Sequence, residues 1–129
     1  MKKILLYNAE SHYISVNAPL LPSTRNMLSA EQFSKMRDGV CLVSTGHGGI
    51  INENALKDVI LSGKVAAAAL DVIADEVTPY SPLFNMKEVT INPYVAYYSE
   101  DSCNEVRQKA VQQVIDVLWQ QKNPACKIN

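Results

Sequence analysis

Short apolar runs alternate along the chain with segments that have the period of amphipathic helices. Residues 13–16, 40–43, 65–70 and 89–91 are rich in β-branched or other apolar residues and stand near Pro, Gly or Asn, which is typical of strands. The run at 65–70 is almost entirely apolar, as in a strand that is covered on both faces of a sheet. The alternation predicts an α/β domain with about four parallel strands and helices on both faces.

Capping patterns and periodicity place helices between and after these strands. Ser29-Ala30-Glu31-Gln32 has the pattern of a capping box, and we expect Gly39 to close the short helix that it opens. Asn52 can cap a second helix, which ends at Gly63. Residues 99–121 have the period of one long terminal helix with an apolar stripe along one side. The stripe consists of Val106, Ala110, Val114, Val117 and Leu118.

Two parts of this pattern leave alternatives open. Residues 3–7 suit a strand by propensity, but Leu5 and Leu6 also suit the last turn of a helix. The apolar stripe of the terminal helix, with Trp119 nearby, belongs either to a core or to an interface.

Composition and charge narrow the function classes. The chain has 129 residues with 12 Lys plus Arg and 13 Asp plus Glu, and its formal net charge of −1 argues against a nucleic-acid partner or a polybasic membrane binder. The apolar run after Lys3 is too short for a signal peptide, and no run has the ~18–20 apolar residues of a membrane span. The 3 cysteines have no metal-like spacing, so we expect neither a metal site nor a disulfide framework. We therefore expect a cytoplasmic protein.

Four segments carry motifs that are weak signals individually. Their combined order and spacing is specific. They are Ile14–Leu20 with Thr24, Met36–Gly49, Gly63–Val72 and Asn92–Ala96. In this order they resemble the C-terminal two-thirds of the nucleotide-binding domain of the D-isomer-specific 2-hydroxyacid dehydrogenases. The piece Tyr97–Glu100, followed by a helix, is similar to the branch that contains the C-terminal-binding-protein corepressors. The resemblance extends over residues 11–129.

The resemblance implies a partial Rossmann-like parallel sheet with flanking helices and a long C-terminal helix. Residues 1–122 would form this partial NAD-binding domain, and residues 123–129 would form a tail. NAD or NADP would bind at the carboxyl ends of the strands. The residues near the cofactor would be Ala18, Pro19, Thr24, Thr45, Gly46 and Asp71. Asp71 has an alternative role as a cap of the loop that follows it.

A full member of this family is more than twice as long as the present chain. Its Gly-x-Gly-x-x-Gly phosphate turn and its ribose-binding acid would lie before Met1, and most of its substrate domain is absent. The glycine cluster at 46–49 lacks the spacing of that turn. The resemblance therefore implies a truncated dehydrogenase domain.

The family's chemistry is NAD-linked hydride transfer between a small 2-hydroxy acid and a 2-oxo acid. It uses an Arg that holds the substrate carboxylate, a His that acts as the acid, and a Glu that orients the His. By resemblance these three positions are His47, Tyr94 and Glu76. An imidazole in place of a guanidinium loses roughly 1.5–3 kcal/mol of charge-assisted pairing, and a phenol is a weak acid at neutral pH. The resemblance thus implies that the activity is lost or impaired.

Several interpretations of the replaced residues stay open. Glu76 could hold His47 protonated, with Tyr94 as the acid, or the two replaced residues could have drifted after loss of selection.

For the whole chain, an impaired dehydrogenase remnant is one hypothesis. A second is one half of a split enzyme, whose missing N-terminal half is another polypeptide. A third is a non-catalytic module that forms homodimers through a strand edge or the last helix.

Overall fold

The computed structural model describes residues 9–77 and 80–124 of the chain. The chain divides into two compact units, Met1–Ala96 and Tyr97–Asn129. The strands lie in the first unit, and the long helix lies in the second. Residues 9 and 10 are helical, whereas the two alternatives for residues 3–7 concern a segment outside the described residues.

Among the described residues of the first unit, four parallel strands form one sheet. They are β1 (Tyr13–Val16), β2 (Val40–Ser44), β3 (Val65–Leu70) and β4 (Val89–Ile91), in the spatial order β1-β2-β3-β4. The register pairs the last residues of neighbouring strands with one another, so the four strands end level. The predicted fold class and all four strand positions are confirmed, and β2 runs one residue further than predicted.

Two helices of the first unit begin at the predicted caps. α1 (Ala30–Ser34) begins with the capping box of Ser29. α2 (Glu53–Leu61) begins with Asn52, whose side-chain oxygen accepts a hydrogen bond from the Ala55 N–H at 3.0 Å. These bonds satisfy backbone N–H groups that the start of a helix leaves without an intrahelical partner.

Gly39 does not close α1, and this prediction is wrong. The N–H of Met36 donates to the Phe33 carbonyl at 3.1 Å, so the chain leaves the helix through a tighter turn. This turn places the Met36 side chain, 3% exposed, in the core, a packing gain that the local sequence does not show. Gly39 instead forms the turn before β2 with a left-handed φ of +76°, and its N–H donates to the Lys64 carbonyl at 2.9 Å.

The core of the first unit lies on one face of the sheet. It includes Leu42 of β2, Phe33 of α1 and Leu56 of α2, which are at most 1% exposed. On the other face the side chains of Tyr13 and Val43 are 77% and 42% exposed. Within the described part of this unit, the helices α1 and α2 therefore cover one face, not both as expected. The run at 65–70 misled the prediction because alanine is tolerated on a covered face and on an open one alike.

The second unit contains α3 (Glu100–Leu118), which begins one residue later and ends three residues earlier than the predicted range 99–121. Its cap is Ser99, whose hydroxyl oxygen accepts from the Ser102 N–H at 3.1 Å. No residue of α3 is buried, so the predicted apolar stripe is not part of a core, and its role as an interface stays a prediction. Among the described residues, no helix has both the length and the apolar character needed to pass through a bilayer.

Candidate functional site

The carboxyl ends of the strands bring most predicted site residues to one edge of the sheet. Residues 17–19 follow β1, residues 45–47 follow β2, residues 71–76 follow β3 and residues 92–94 follow β4. Ligands of open α/β sheets bind outside the carboxyl ends of the strands. Every predicted site residue except Thr24 lies in one of these segments.

One cleft at this edge, called here the Thr45 cleft, has a volume of about 280 Å³. Thr45 Oγ1 donates to Asn17 Oδ1 at 2.5 Å and so joins the segments after β2 and β1. A Cβ added to Gly46 would lie 2.9 Å from the Ala18 carbonyl oxygen, so this close approach requires glycine. The residues that line the cleft are Asn17, Ala18, Pro19, Thr45, Gly46, His47 and Tyr94. Four of the predicted cofactor-binding residues thus share a cleft with two of the predicted catalytic residues.

A second cleft, called here the Glu76 cleft, has a volume of about 390 Å³ and lies at the ends of β3 and β4. Its lining includes Asp71, Glu76 and Tyr94 together with apolar side chains such as Phe84. Tyr94 lines both clefts. The structure therefore places Tyr94 in a cleft with His47 and in another with Glu76, and it places His47 and Glu76 in separate clefts.

Asp71 shapes the turn that carries Tyr94. The carboxylate of Asp71 is buried and accepts hydrogen bonds from the N–H groups of Val95 at 3.0 Å and Ala96 at 3.0 Å. The Asp71 carbonyl accepts from the Tyr94 N–H at 3.0 Å. The side chain therefore caps the turn after β4, a neighbouring strand, whereas its alternative role as a cap of the loop that follows Asp71 stays a prediction. The predicted position of Asp71 near the cofactor stays a prediction.

Tyr94 has a backbone conformation that is uncommon for its residue type. Its φ is +57°, in the left-handed region that favours glycine. Residues held in such conformations by their surroundings are concentrated at functional sites. Tyr94 is 45% exposed, so part of this residue is open to solvent at the clefts that it lines.

Thr24 lies outside both clefts and serves a local turn. Its hydroxyl group donates to the Pro19 carbonyl at 2.7 Å and accepts from the Leu21 N–H at 2.7 Å. These bonds fix the path of the chain after Pro19, which lines the Thr45 cleft. Thr24 therefore acts on the cleft through Pro19, and direct contact with a cofactor stays a prediction.

Sequence reasoning missed two residues that hold the loops of the site. Glu53 is a buried acid at the start of α2 that bonds to Ala74 and Ser81 of the segment after β3. Gly48 packs against the backbone of Ile73 in the same segment. Glu53 resembles an ordinary first-turn acid in the sequence, and only the tertiary contact distinguishes it. The close spacing of glycines around Gly48 was a signal that could have indicated a tight backbone contact.

Lowered carboxyl pKa values occur on the surface, outside both clefts. The hydrogen bond and charge of Lys64 lower the pKa of Asp38, which lies before β2. Lys109 lowers the pKa of Glu105 on α3 in the same way. Within residues 9–77 and 80–124, no group of three His, Cys, Asp or Glu side chains is arranged to hold a metal ion.

The parallel sheet and its clefts agree with a family assignment that covers most of the chain. Residues 5–96 match the model of the D-isomer specific 2-hydroxyacid dehydrogenase, NAD binding domain. The chain therefore belongs to the D-isomer specific 2-hydroxyacid dehydrogenase family, within its NAD-binding domain. This family is a class of oxidoreductases, and the predicted resemblance to the family is confirmed. The similarity of Tyr97–Glu100 to the corepressor branch stays a prediction.

Individual relatives agree with this assignment. Over 91 residues, the chain is 44% identical to a protein of Schizosaccharomyces pombe named after the 2-hydroxyacid dehydrogenases, with 70% of this chain and 27% of the relative covered. It is 36% identical over 114 residues to a hydroxypyruvate reductase of Thermotoga maritima, covering 84% of this chain and 37% of the relative. The crystal structure of a D-lactate dehydrogenase from Treponema pallidum matches with a TM-score of 0.90 and 25% identity, over 98% of this chain and 42% of that one. The chain thus spans well under half the length of these relatives.

Proposed function

We propose that this chain provides the nicotinamide-facing part of a dinucleotide site of a D-2-hydroxyacid dehydrogenase. The observation that carries the proposal is the Thr45 cleft, in which segments after β1, β2 and β4 meet at the carboxyl edge of a parallel sheet. Open α/β sheets bind dinucleotides at this edge. The reaction of the complete site would be NAD-linked hydride transfer between a small 2-hydroxy acid and its 2-oxo acid, and we expect it to take place in the cytoplasm.

The Thr45 cleft suits the nicotinamide and ribose end of NAD or NADP. Gly46 lets the segment after β1 lie close to the segment after β2, and Ala18 and Pro19 have compact side chains, so a flat ring can approach the backbone of these segments. Thr45 and Asn17 offer a hydroxyl and an amide group that match ribose hydroxyls. The bound cofactor would supply or accept the hydride. The chain's own residues would orient the reacting end and exclude water from it.

We assign the substrate end to His47, Tyr94 and Glu76. In this assignment His47 donates a hydrogen bond to the substrate carboxylate, and the Tyr94 hydroxyl donates to the carbonyl oxygen. Glu76 acts from the second cleft that Tyr94 lines. An imidazole carries less positive charge than a guanidinium, and a phenol is a weaker acid than an imidazolium. We therefore expect hydride transfer to be slower than at a site that has Arg and His in these positions.

We also propose that these 129 residues by themselves bind NAD weakly. The sequence contains no Gly-x-Gly-x-x-Gly, the turn whose backbone amides hold a pyrophosphate at a helix start. The glycines after β2 stand at positions 46, 48 and 49 and do not have this spacing. The Thr45 cleft would then bind one end of the dinucleotide without a phosphate site for the other.

Fluorescence titration with NADH tests both parts of this proposal. We expect a Kd above about 0.1 mM, which is a binding free energy weaker than about −5.5 kcal/mol. Thr45→Ala is expected to weaken binding about fivefold, since it removes one hydrogen bond of ~1 kcal/mol. Thr90→Ala, an exposed threonine on β4 outside both clefts, is the matched control and should leave the Kd unchanged. A micromolar Kd would contradict the weak-binding proposal, and equal effects of the two variants would contradict the assigned cleft.

Self-association is a second candidate function, without catalysis. Among the described strands β1 pairs only with β2, so its outer edge presents backbone groups to which another strand can bond. Tyr13 on β1 and Leu118 on α3 are both 77% exposed and add apolar surface. A homodimer would form through one of these surfaces, or the edge of β1 would bind a separate polypeptide that carries the phosphate turn. Sedimentation that shows a monomer from micromolar to near-millimolar concentration would exclude the homodimer.

A further inference from the structure

Glu53 ties the start of α2 to the segment that follows β3. Its side chain is buried, with the residue 9% exposed. Glu53 Oε1 accepts the Ala74 N–H at 2.6 Å, and Oε2 accepts the Ser81 hydroxyl at 2.6 Å. Two charge-assisted hydrogen bonds offset the cost of burying a carboxylate, and a negative charge at a helix start is favoured by the helix dipole.

A second contact involves the same peptide group, on its carbonyl side. A Cβ added to Gly48 would lie 2.0 Å from the Ile73 carbonyl oxygen, so the loop after β2 is in direct backbone contact with Ile73. Ile73 and Ala74 are consecutive. The same peptide unit is therefore held by Gly48 on its carbonyl side and by Glu53 on its N–H side.

These contacts lie next to two residues of the assigned site. His47 directly precedes Gly48, and Glu76 follows Ala74 by two positions. A displacement of Ala74 relative to Gly48 would therefore change the separation of His47 and Glu76. We propose that Glu53 is a positioning residue, which sets the spacing of His47 and Glu76 by holding the backbone of Ala74. The roles of His47 and Glu76 rest on the proposed function, whereas the hold on Ala74 does not.

Amide hydrogen exchange measured by NMR tests the hold without a cofactor. In the unsubstituted chain the Ala74 amide is expected to be protected, because it bonds to a buried carboxylate. Glu53→Ala should speed its exchange at least about tenfold and leave Leu42 and Ala68, in the sheet, unchanged. Glu53→Gln should restore most of the protection, because its amide oxygen can accept from Ala74 while its NH2 group donates to Ser81 Oγ.

The exchange experiment has controls that separate a local effect from general destabilisation. Glu31→Ala, at an exposed glutamate of α1, should leave Ala74 unchanged. If Glu53→Ala does not fold, Glu53→Asp is measured in its place. Its side chain is shorter by one methylene, so its carboxylate oxygens lie farther from the Ala74 N–H. Rapid exchange of Ala74 in the unsubstituted chain would overturn the proposal, as would equal acceleration at Ala74, Leu42 and Ala68.

The NMR resonances of His47 and Glu76 distinguish a positioning role from a purely structural one, because a purely structural role would leave them unchanged. The His47 ring and Glu76 backbone signals are expected to shift in Glu53→Ala and to return in Glu53→Gln. Unmoved signals would overturn the positioning role. With NADH present, pyruvate binding should weaken more than fivefold in Glu53→Ala, and NADH binding less than twofold. An unsubstituted chain that binds neither NADH nor pyruvate counts against the proposed function alone, because the resonances still decide the role of Glu53.

Discussion

Tyr94 combines an unfavourable backbone conformation with the central position in the candidate site. Its φ of +57° costs about 1–2 kcal/mol for a residue with a side chain. Asp71 offsets this cost, because its carbonyl accepts from the Tyr94 N–H and its carboxylate accepts from the next two N–H groups. Buried Asp71 thus stabilises the turn in which Tyr94 lines both clefts.

A substitution at Gly48 is expected to disturb the same region more strongly than its sequence context suggests. Gly48→Ala places a Cβ 2.0 Å from the Ile73 carbonyl oxygen, and the resulting displacement should lower the free energy of unfolding by about 3 kcal/mol. Gly39→Ala is the matched control, since its Cβ meets open space and only its φ of +76° is unfavourable, at about 1 kcal/mol. Urea denaturation measures both variants. Equal stability of Gly48→Ala and the parent would contradict the close contact between Gly48 and the Ile73 carbonyl.

The sequence predicted the positions of the strands, but it did not predict how the helices and loops pack against them. The four strands are short apolar runs between turn residues. This signal is local, so it predicts the strands without knowledge of how they pair in the sheet. The end of α1 depends on burying Met36, and the position of Thr24 depends on its bonds to Pro19 and Leu21. The roles of Asp71 and Glu53 depend on partners more than 20 positions away in the chain, which no local pattern records.

The ion pair between the turns before β2 and β3 should make stability depend on pH. Lys64 Nζ lies 2.7 Å from Asp38 Oδ1 and lowers the pKa of Asp38 below its usual 3.8. A carboxyl with a lowered pKa in the folded state stabilises the fold above its unfolded-state pKa and loses that contribution as the pH falls through the lowered value. We expect the urea midpoint to decline below pH 3.8, and to decline less in Asp38→Asn. The effect is small because Asp38 is on the surface.

A control variant separates this ion pair from other surface acids. Glu105→Gln removes the lowered carboxyl of α3 and should leave the pH dependence of the sheet unchanged, as followed by the exchange of Leu42 and Ala68. A decline that is identical in Asp38→Asn and the parent would contradict the assigned role of the pair between Asp38 and Lys64.

At the scale of the whole molecule, the two units differ in how their backbone is protected. β2 and β3 lie within a sheet beside a buried core, whereas α3 is a 19-residue helix with no buried residue. Most of the stability of helices in proteins comes from the burial of an apolar face. We expect the amides of α3 to exchange at least about a hundredfold faster than those of β2 and β3, measured by NMR at neutral pH. Slow exchange across α3 at a low protein concentration would contradict this expectation, and slow exchange only at high concentration would indicate that the apolar stripe forms an interface.

Among the described strands, β1 lies at the edge of the sheet and pairs only with β2, and this edge affects how the protein should be handled. The strand reads Tyr-Ile-Ser-Val, without the lysine, proline or bulge by which natural edge strands discourage addition of a further strand. Concentrated solutions should therefore accumulate cross-β aggregates seeded at residues 13–16, and a lysine introduced at Ser15 should keep samples clear for crystallisation or NMR.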